Sequence, residues 1–159
     1  VAVGHSAGGH LALWLAARPE LDPDDPLRGA VPLRFRGAVA LAGITDLAGF
    51  SSRSGCGSAV PGLLGGEPAE NPERLPRTSP IAMPASGIRE VLVVGGRDPI
   101  VPSRQAERYA ADRPDGAVQL VEIPRAGHFE LIDPGHASWD SVRRAVATTI
   151  NLDVDPAER

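Results

Sequence analysis

The chain has little of what would mark several common classes of protein. It has one cysteine, Cys56, among its 159 residues, which excludes an internal disulfide and a cysteine-based zinc site. Its 16 basic residues are all arginine, they form no dense block, and 20 acidic residues outnumber them. We therefore expect no nucleic-acid partner. A run of roughly 18 apolar residues is absent, so the sequence predicts no membrane-spanning helix and no membrane partner.

The residues that are present have the composition of one globular domain. Hydrophobic residues make up 42% of the chain and charged residues 23%. The 18 glycines and 16 prolines follow no three-residue repeat, which excludes a collagen-like chain. The first residue is Val1 rather than methionine, and it lies inside an apolar run, so we expect a preceding segment to be missing. For the location we expect the cytoplasm.

Short apolar strands alternate with helical patterns along the chain. Strands are predicted at 1–4, 35–42, 90–94 and 118–123, and helices at 7–17, 103–112 and 137–150. This alternation is typical of a mostly parallel α/β sheet with its functional residues at the carboxyl ends of the strands. The acidic tail, 151–159, is expected to fray.

The first predicted helix has an apolar stripe and further apolar residues beside it. Its stripe consists of Ala7, Leu11, Trp14 and Leu15, which recur at helical spacing. We expect this stripe to face the core and the helix to be buried on most sides.

Residues 47–89 are rich in glycine and proline and show little periodicity. Two short helices are predicted there, one at 59–64 and one that begins at Asn71 as N-cap with Pro72 in the first helical position. Such a length is unusual for a plain solvated connection, although that alternative stays open. We expect a cap over the functional site. The candidate pocket-lining residues are Phe50, Leu63, Leu64, Ile81 and Met83.

The strongest chemical signal is the G-x-S-x-G motif Gly4-His5-Ser6-Ala7-Gly8. It lies between a predicted strand and a predicted helix, where a sharp turn lifts a serine hydroxyl above the sheet edge. We expect a Cβ atom at Gly4 or Gly8 to clash within this turn. The motif predicts Ser6 as a nucleophile and the backbone N–H of Ala7 as a donor to a developing oxyanion.

A nucleophilic serine needs a base and an acid, and in this kind of fold they follow it in the order acid, then histidine. Asp98 follows the third predicted strand in the run Val94-Gly95-Gly96-Arg97-Asp98, and His128 follows the fourth. One helix and one strand separate the two residues, as a single crossover unit requires. We therefore predict a catalytic triad of Ser6, Asp98 and His128.

Other polar residues compete for these roles. Asp46 also follows a strand and is the alternative acid, whereas Asp133 is expected to cap the turn before Pro134. His5 and His10 flank the serine and are expected to shape the pocket wall or to form local hydrogen bonds. His128, Asp133 and His136 lack the spacing of a metal site, and Cys56 lacks a histidine context, so we predict no metal.

Taken together, these motifs resemble the α/β-hydrolase superfamily, in particular its esterase/lipase and arylformamidase-like branch. The segments that carry the resemblance are Gly4–Leu11, Gly66–Pro68 before Ser79-Pro80, Val91–Asp98 and Ala126–Pro134. The resemblance implies Ser6 as nucleophile, Asp98 as acid, His128 as base and the amide of Ala7 as one oxyanion donor. Members of the superfamily also have strands before the sharp turn of the G-x-S-x-G motif, which is called the elbow, and a His-Gly-Gly-type loop, and neither is present here. The resemblance thus implies a partial domain, 1–159, that starts at the strand before the elbow.

These observations favour one function and leave two alternatives open. The favoured function is a serine hydrolase that cleaves a small ester or amide through an acyl-enzyme and needs no cofactor. The first alternative is an inert hydrolase-like protein or binding module, because the front of the expected domain is missing. The second is a serine peptidase of related fold.

Overall fold

A computed structural model describes residues 1–51 and 55–150. Its centre is a four-stranded sheet in the order β1-β2-β3-β4, and all three pairings are parallel. The strands are β1 (Ala2–His5), β2 (Gly37–Leu41), β3 (Arg89–Gly95) and β4 (Val118–Ile123). The prediction of a mostly parallel α/β sheet is confirmed, and β4 has the predicted bounds.

Helices connect and cover the strands. The α-helices are α1 (Ala7–Ala17), α2 (Leu47–Phe50), α3 (Ala59–Leu64), α4 (Leu75–Thr78), α5 (Arg104–Ala111) and α6 (Trp139–Thr149). Short 3-10 helices lie at Arg18–Glu20, Gly55–Ser58, Pro72–Arg74, Pro80–Ala82 and Phe129–Ile132. The predicted bounds of α1 and α3 are confirmed. The helix predicted from Asn71 is a 3-10 turn followed by α4, and the side chain of Asn71 does not cap it.

The core lies on both faces of the two central strands. Alternate side chains of a strand point to opposite faces, so β2 and β3 each contribute to two clusters. One cluster joins α1 and α5 to the sheet and consists of Leu13, Ala16, Ala38, Ala40, Leu92, Val94, Ala106 and Tyr109. The other contains Val39, Val91, Val93, Leu131 and residues of α6, among them Val142 and Ala145. Cover on both faces explains why β2 reads as a continuous apolar run.

The buried face of α1 differs from the predicted one. Leu11 is 54% exposed and Ala7 is exposed, whereas Ala12, Leu13 and Ala16 are buried. The predicted stripe was wrong because α1 has apolar residues on most of its surface, so periodicity alone could not select the face. Packing against β2 selects the small residues, which allow helix and sheet to approach closely.

Two further expectations concern a membrane-spanning helix and the acidic tail. Within the described ranges, no helix is long and apolar enough to span a bilayer. The predicted frayed tail, 151–159, lies outside the described residues.

Candidate active site

The predicted site residues all follow the carboxyl ends of parallel strands. Ser6 follows β1, Asp98 comes three residues after β3, and His128 comes five residues after β4. Neighbouring strands are about 4.8 Å apart, so the ends of β1 and β4 are separated by roughly 14 Å across the sheet. The loop after β4 must therefore return across the sheet edge if His128 is to reach Ser6.

The turn at Ser6, which is the elbow of the G-x-S-x-G motif, has a strained backbone. Its φ is 56° and its ψ is −119°, a conformation that non-glycine residues rarely adopt. The N–H of Ser6 donates to the carbonyl of Leu41 at the end of β2 (2.8 Å), which anchors the turn to the sheet. Ala7 is the first residue of α1, so its N–H belongs to the group that has no acceptor within the helix.

Glycine is required at the start of the elbow but not at its end. A Cβ atom on Gly4 would overlap the backbone carbonyl of Gly8, so the expected clash at Gly4 is present. Gly8 itself has open space where its Cβ would lie, and the expectation of a clash there was wrong. The second tight position is Gly9, whose Cβ would lie 2.8 Å from the Cα of Gly43. Here α1 crosses the end of β2, and any side chain would push them apart.

Asp98 and His128 form a short buried pair. The Nδ1–H of His128 donates to Oδ2 of Asp98 at 2.6 Å, and the two side chains are only 4% and 1% exposed, respectively. The other oxygen of Asp98, Oδ1, accepts the backbone N–H groups of Ile100 (2.7 Å) and Val101 (2.9 Å). These bonds fix the carboxylate, and the carboxylate leaves Nε2 of His128 as the free ring nitrogen.

Two glycines let the loop after β4 cross over the end of β3. A Cβ on Gly95 would lie 2.5 Å from the carbonyl oxygen of Gly127, and one on Gly96 would lie 2.9 Å from the Cα of Pro124. The N–H of Arg97 donates to the carbonyl of Ala126 (2.9 Å), which fastens the crossing. In the sequence, Gly95-Gly96 marks only the end of the third predicted strand. The two glycines let the loop after β4, which carries His128 and is named the histidine loop, reach back toward the elbow.

His5 joins the elbow to the histidine loop. Its Nε2–H donates to the backbone carbonyl of His128 at 2.9 Å, and the two rings lie 4.4 Å apart between centroids. Phe129 packs edge-on against His128 at 5.1 Å. Since His5 directly precedes Ser6 in the chain, these contacts bring the loop that carries His128 to the end of β1. Burial lowers the pKa of His5, and the hydrogen bond to the backbone carbonyl of His128 opposes this shift only in part.

His10 forms a similar contact with a different loop. Its Nδ1 lies 3.2 Å from the backbone carbonyl of Ile44, just after β2. Burial lowers the pKa of His10, and the hydrogen bond only partly opposes this shift. Both histidines thus form hydrogen bonds, but with loops 123 and 34 positions away in the chain rather than locally, as the sequence had predicted.

The rival acid, Asp46, serves another purpose. Its Oδ1 accepts the N–H of Gly49 (2.9 Å) as the N-cap of α2, and its Oδ2 lies 3.4 Å from Nη1 of Arg108. The partner of His128 is Asp98, so Asp46 is not the acid of this pair. Asp133 caps its turn as predicted, because its Oδ1 accepts the N–H of Gly135 (2.8 Å).

Two of the five predicted pocket residues in the segment 47–89 are core residues. Leu64 and Met83 are buried in the core, Ile81 packs against it, Phe50 is partly buried there and Leu63 is exposed. An open cavity in this segment is lined by Ala48, Ser51, Glu67, Pro68, Ala69, Pro72 and Leu75. The assignment of Leu64 and Met83 to a pocket wall was wrong, because a core position and a pocket wall look alike in sequence, and for the other three it stays a prediction. Whether the segment is a cap stays a prediction.

The described residues hold no metal-binding cluster. In 1–51 and 55–150, no three side chains of histidine, cysteine, aspartate or glutamate are grouped as a metal ion would need. His136 is engaged locally, since its Nδ1 lies 2.8 Å from Oγ of Ser138. Cys56 is exposed as a free thiol.

The sheet is parallel, a strained turn follows β1, and an aspartate–histidine pair follows β3 and β4. Together these features define the α/β-hydrolase fold. The chain belongs to the BD-FAE family, whose family model matches residues 1–112. Among curated protein sequences none matches it.

Solved structures with the same fold come from several hydrolases. The acetyl ester-xyloside bifunctional hydrolase of Caldicellulosiruptor lactoaceticus is 21% identical over 96% of this chain, with a TM-score of 0.68. A truncated carbohydrate esterase from gut microbiota is 19% identical over 93%, with a TM-score of 0.69. Thermogutta terrifontis esterase 2, phosphoramylated by tabun, is 22% identical over 96%, with a TM-score of 0.66. This chain spans 57%, 59% and 56% of those three chains, respectively.

Proposed function

We propose that this chain carries the nucleophile, acid and base of a serine hydrolase that acts on small esters or amides. The observation that carries the proposal is the buried Asp98–His128 pair at 2.6 Å, held beside the strained elbow of Ser6 by His5. A buried carboxylate that orients a histidine next to a strained, half-buried serine is the arrangement that nucleophilic catalysis needs. A structural role alone gives no reason for the strain at Ser6.

The reaction follows from the protonation states. His128 keeps its proton on Nδ1, where it donates to the carboxylate of Asp98, so Nε2 is the nitrogen that takes the proton of Ser6 Oγ as the oxygen attacks the substrate carbonyl. The imidazolium is stabilised by the carboxylate of Asp98, and the N–H of Ala7 donates to the oxyanion. His128 then protonates the leaving group, which leaves an acyl-enzyme. Water, deprotonated by His128, releases the acid and restores Ser6.

Esters with a short acyl group are the substrates we favour. Two of the structural neighbours are named for an acetyl ester and a carbohydrate ester, and a third is an esterase. Esters also have a better leaving group than amides and demand less of the general acid. We therefore propose acetylated carbohydrates as the first class to examine.

The test is covalent labelling of the chain by a fluorophosphonate, with the modified residue located by mass spectrometry. We expect a single adduct on Ser6 and hydrolysis of p-nitrophenyl acetate, and we expect Ser6→Ala to abolish both. Ser141 is a suitable control because it is also a half-buried serine but lies on α6. Ser141→Ala should label and hydrolyse as the unmodified chain does.

Two results would contradict the proposal. One is a folded chain in which Ser6 is not labelled, which would favour the inert or binding alternative. The other is ester hydrolysis that survives Ser6→Ala, which would place the activity elsewhere. Cleavage of peptides but not of p-nitrophenyl acetate by the native chain would replace the esterase with a peptidase.

A further inference from the structure

We propose that His5 is a positioning residue, which sets the place of the base His128 relative to the nucleophile through a hydrogen bond from its ring to the His128 backbone. This inference rests on the proposed function, because it assigns a task within the same site. It concerns the residue at the first of the two variable positions of the G-x-S-x-G motif. From the sequence alone we expected that residue to shape the pocket wall or to form local hydrogen bonds.

The first argument is the shortness of the connection. His5 and His128 are 123 positions apart in the chain, yet Nε2 of His5 lies 2.9 Å from the carbonyl oxygen of His128. His5 is covalently joined to Ser6. One hydrogen bond therefore links the residue next to the nucleophile with the main chain of the base. The connection between the two residues across the sheet is longer, because β1 and β4 are the two edges of the order β1-β2-β3-β4.

The second argument is that the histidine loop has few other anchors near the elbow. Arg97 and Asp98, which hold Ala126 and His128, both belong to the loop after β3. They fix the loop relative to the acid but not relative to the serine. His5 supplies the missing constraint, since its ring also packs on that of His128 at 4.4 Å and near Phe129 at 6.0 Å.

The third argument concerns the proton on the ring. A carbonyl oxygen can only accept, so the bond requires a proton on Nε2 of His5. Burial lowers the pKa of His5, which favours the neutral ring. A neutral ring can hold the loop without placing a second positive charge beside the imidazolium that His128 becomes during the reaction. The donor alone is needed for this task, so a neutral amide should be able to replace it.

The experiment compares His5→Gln with His5→Met in the full chain. Glutamine can place an N–H near the position of Nε2, whereas methionine has a similar length without a donor. For fluorophosphonate labelling we expect a rate constant close to native in His5→Gln and about 10–100-fold lower in His5→Met. The final extent of labelling, which counts folded sites, should be the same in both. A native rate in His5→Met, or an equally slow His5→Gln, would overturn the proposal.

His10→Met is the matched control, because His10 is also a buried elbow histidine that bonds a backbone carbonyl but contacts Ile44 rather than His128. Loss of this bond should lower the stability of the chain and leave the labelling rate per folded site unchanged. An equal slowing in His10→Met would show that any loosening of the elbow slows labelling, and the assignment to His5 would fail.

A second readout does not depend on activity. The proton between Nδ1 of His128 and Asp98 should give a far-downfield NMR resonance while the ring is held in place. We expect the resonance in the native chain and in His5→Gln, and its loss or broadening in His5→Met. If the native chain is not labelled, the proposed function fails, and this resonance still decides the role of His5. An unchanged resonance in His5→Met would overturn that role.

Discussion

The loops after β2 and β3 have the same local design and different tasks. In each, an aspartate follows a buried parallel strand and one carboxylate oxygen accepts backbone N–H groups of the next residues. Asp98 holds Ile100 and Val101 in this way, and Asp46 holds Gly49. The loops differ in what faces the second oxygen. For Asp98 it is the buried ring of His128 at 2.6 Å, and for Asp46 it is Arg108, whose side chain is 63% exposed, at 3.4 Å.

The difference shows that local sequence places a carboxylate and a distant segment decides its chemistry. Both aspartates satisfy a turn or cap, which is the ordinary use of an aspartate after a strand. Only Asp98 has a histidine brought to it, because the loop after β4 crosses the end of β3 at Gly95. The carboxylates of Asp46 and Asp98 are both buried, but the Arg108 that faces Asp46 is 63% exposed and water screens the pair, whereas the buried ring that faces Asp98 can be oriented as a base.

The largest expected effect separates the two aspartates by activity. Asp98→Asn should keep the turn, because the amide oxygen still accepts backbone N–H groups, but it should present an N–H to Nδ1 of His128. The ring proton then moves to Nε2, which can no longer take the proton of Ser6. We expect the fluorophosphonate labelling rate to fall by about 10⁴-fold.

The same substitution in the other loop is the control. Asp46→Asn should label at the native rate and lose about 1 kcal/mol of unfolding free energy or less, because the amide oxygen can still accept the N–H of Gly49 and only the contact with the largely exposed Arg108 is weakened. If Asp46→Asn stops labelling and Asp98→Asn does not, the assignment of the acid is reversed.

A smaller effect, on stability, concerns the residue that holds the loop after β2. The buried Gln105 accepts the N–H groups of Thr45 (3.1 Å) and Asp46 (2.8 Å) and donates to the carbonyl of Asp46 (3.2 Å). Gln105→Leu would leave these buried groups unpaired, so we expect a loss of about 1–3 kcal/mol in urea unfolding. The exposed Gln119 on β4 gives the control, with Gln119→Leu expected within about 0.5 kcal/mol of the native chain.

The last prediction concerns acidification and the bond from His10 to the loop after β2. Burial lowers the pKa of His10 below its ordinary 6.5, so the unfolded chain takes up a proton near that pH while the folded chain does not. The contribution of His10 to the free energy of unfolding is therefore largest above pH 6.5, and it declines as the pH falls toward the pKa that His10 has in the folded chain. His5 acts in the same direction, whereas Glu90, whose pKa burial raises, acts in the opposite one.

Denaturant unfolding above and below pH 6.5 measures this contribution. His10→Asn should keep a donor near Ile44, because its amide nitrogen lies close to the position of Nδ1, and should reduce the loss of stability on acidification. An unchanged pH dependence in His10→Asn would mean that other groups carry it.

Much of the sheet and of the site could be predicted from sequence. The strands and α1 have strong local signals, and the elbow motif needs only its position between a strand and a helix to indicate Ser6. Asp98 and His128 follow from their order along the chain, and the structure brings them within 2.6 Å. Their catalytic roles and that of the Ala7 amide remain predictions.

Other features could not be read from the sequence because they depend on contacts between distant segments. The buried face of α1 depends on the small residues that meet β2, and a uniformly apolar helix gives no periodic signal for it. Leu64 and Met83 were expected in a pocket and are core residues, since apolar side chains serve both environments. The roles of Gly95 and Gln105 exist only in the folded chain, where the loop after β4 crosses at Gly95 and the loop after β2 bonds to Gln105.

By itself, then, the sequence determined which residues could do chemistry and at which strand ends they lie, because short-range propensity and chain order fix both. The tertiary structure decided the partners: Asp98 rather than Asp46 for His128, and His128 rather than a pocket wall for His5. The reason is physical. Strand and helix signals arise within a few residues, whereas a hydrogen bond across 123 positions exists only after the sheet has assembled and its loops have crossed.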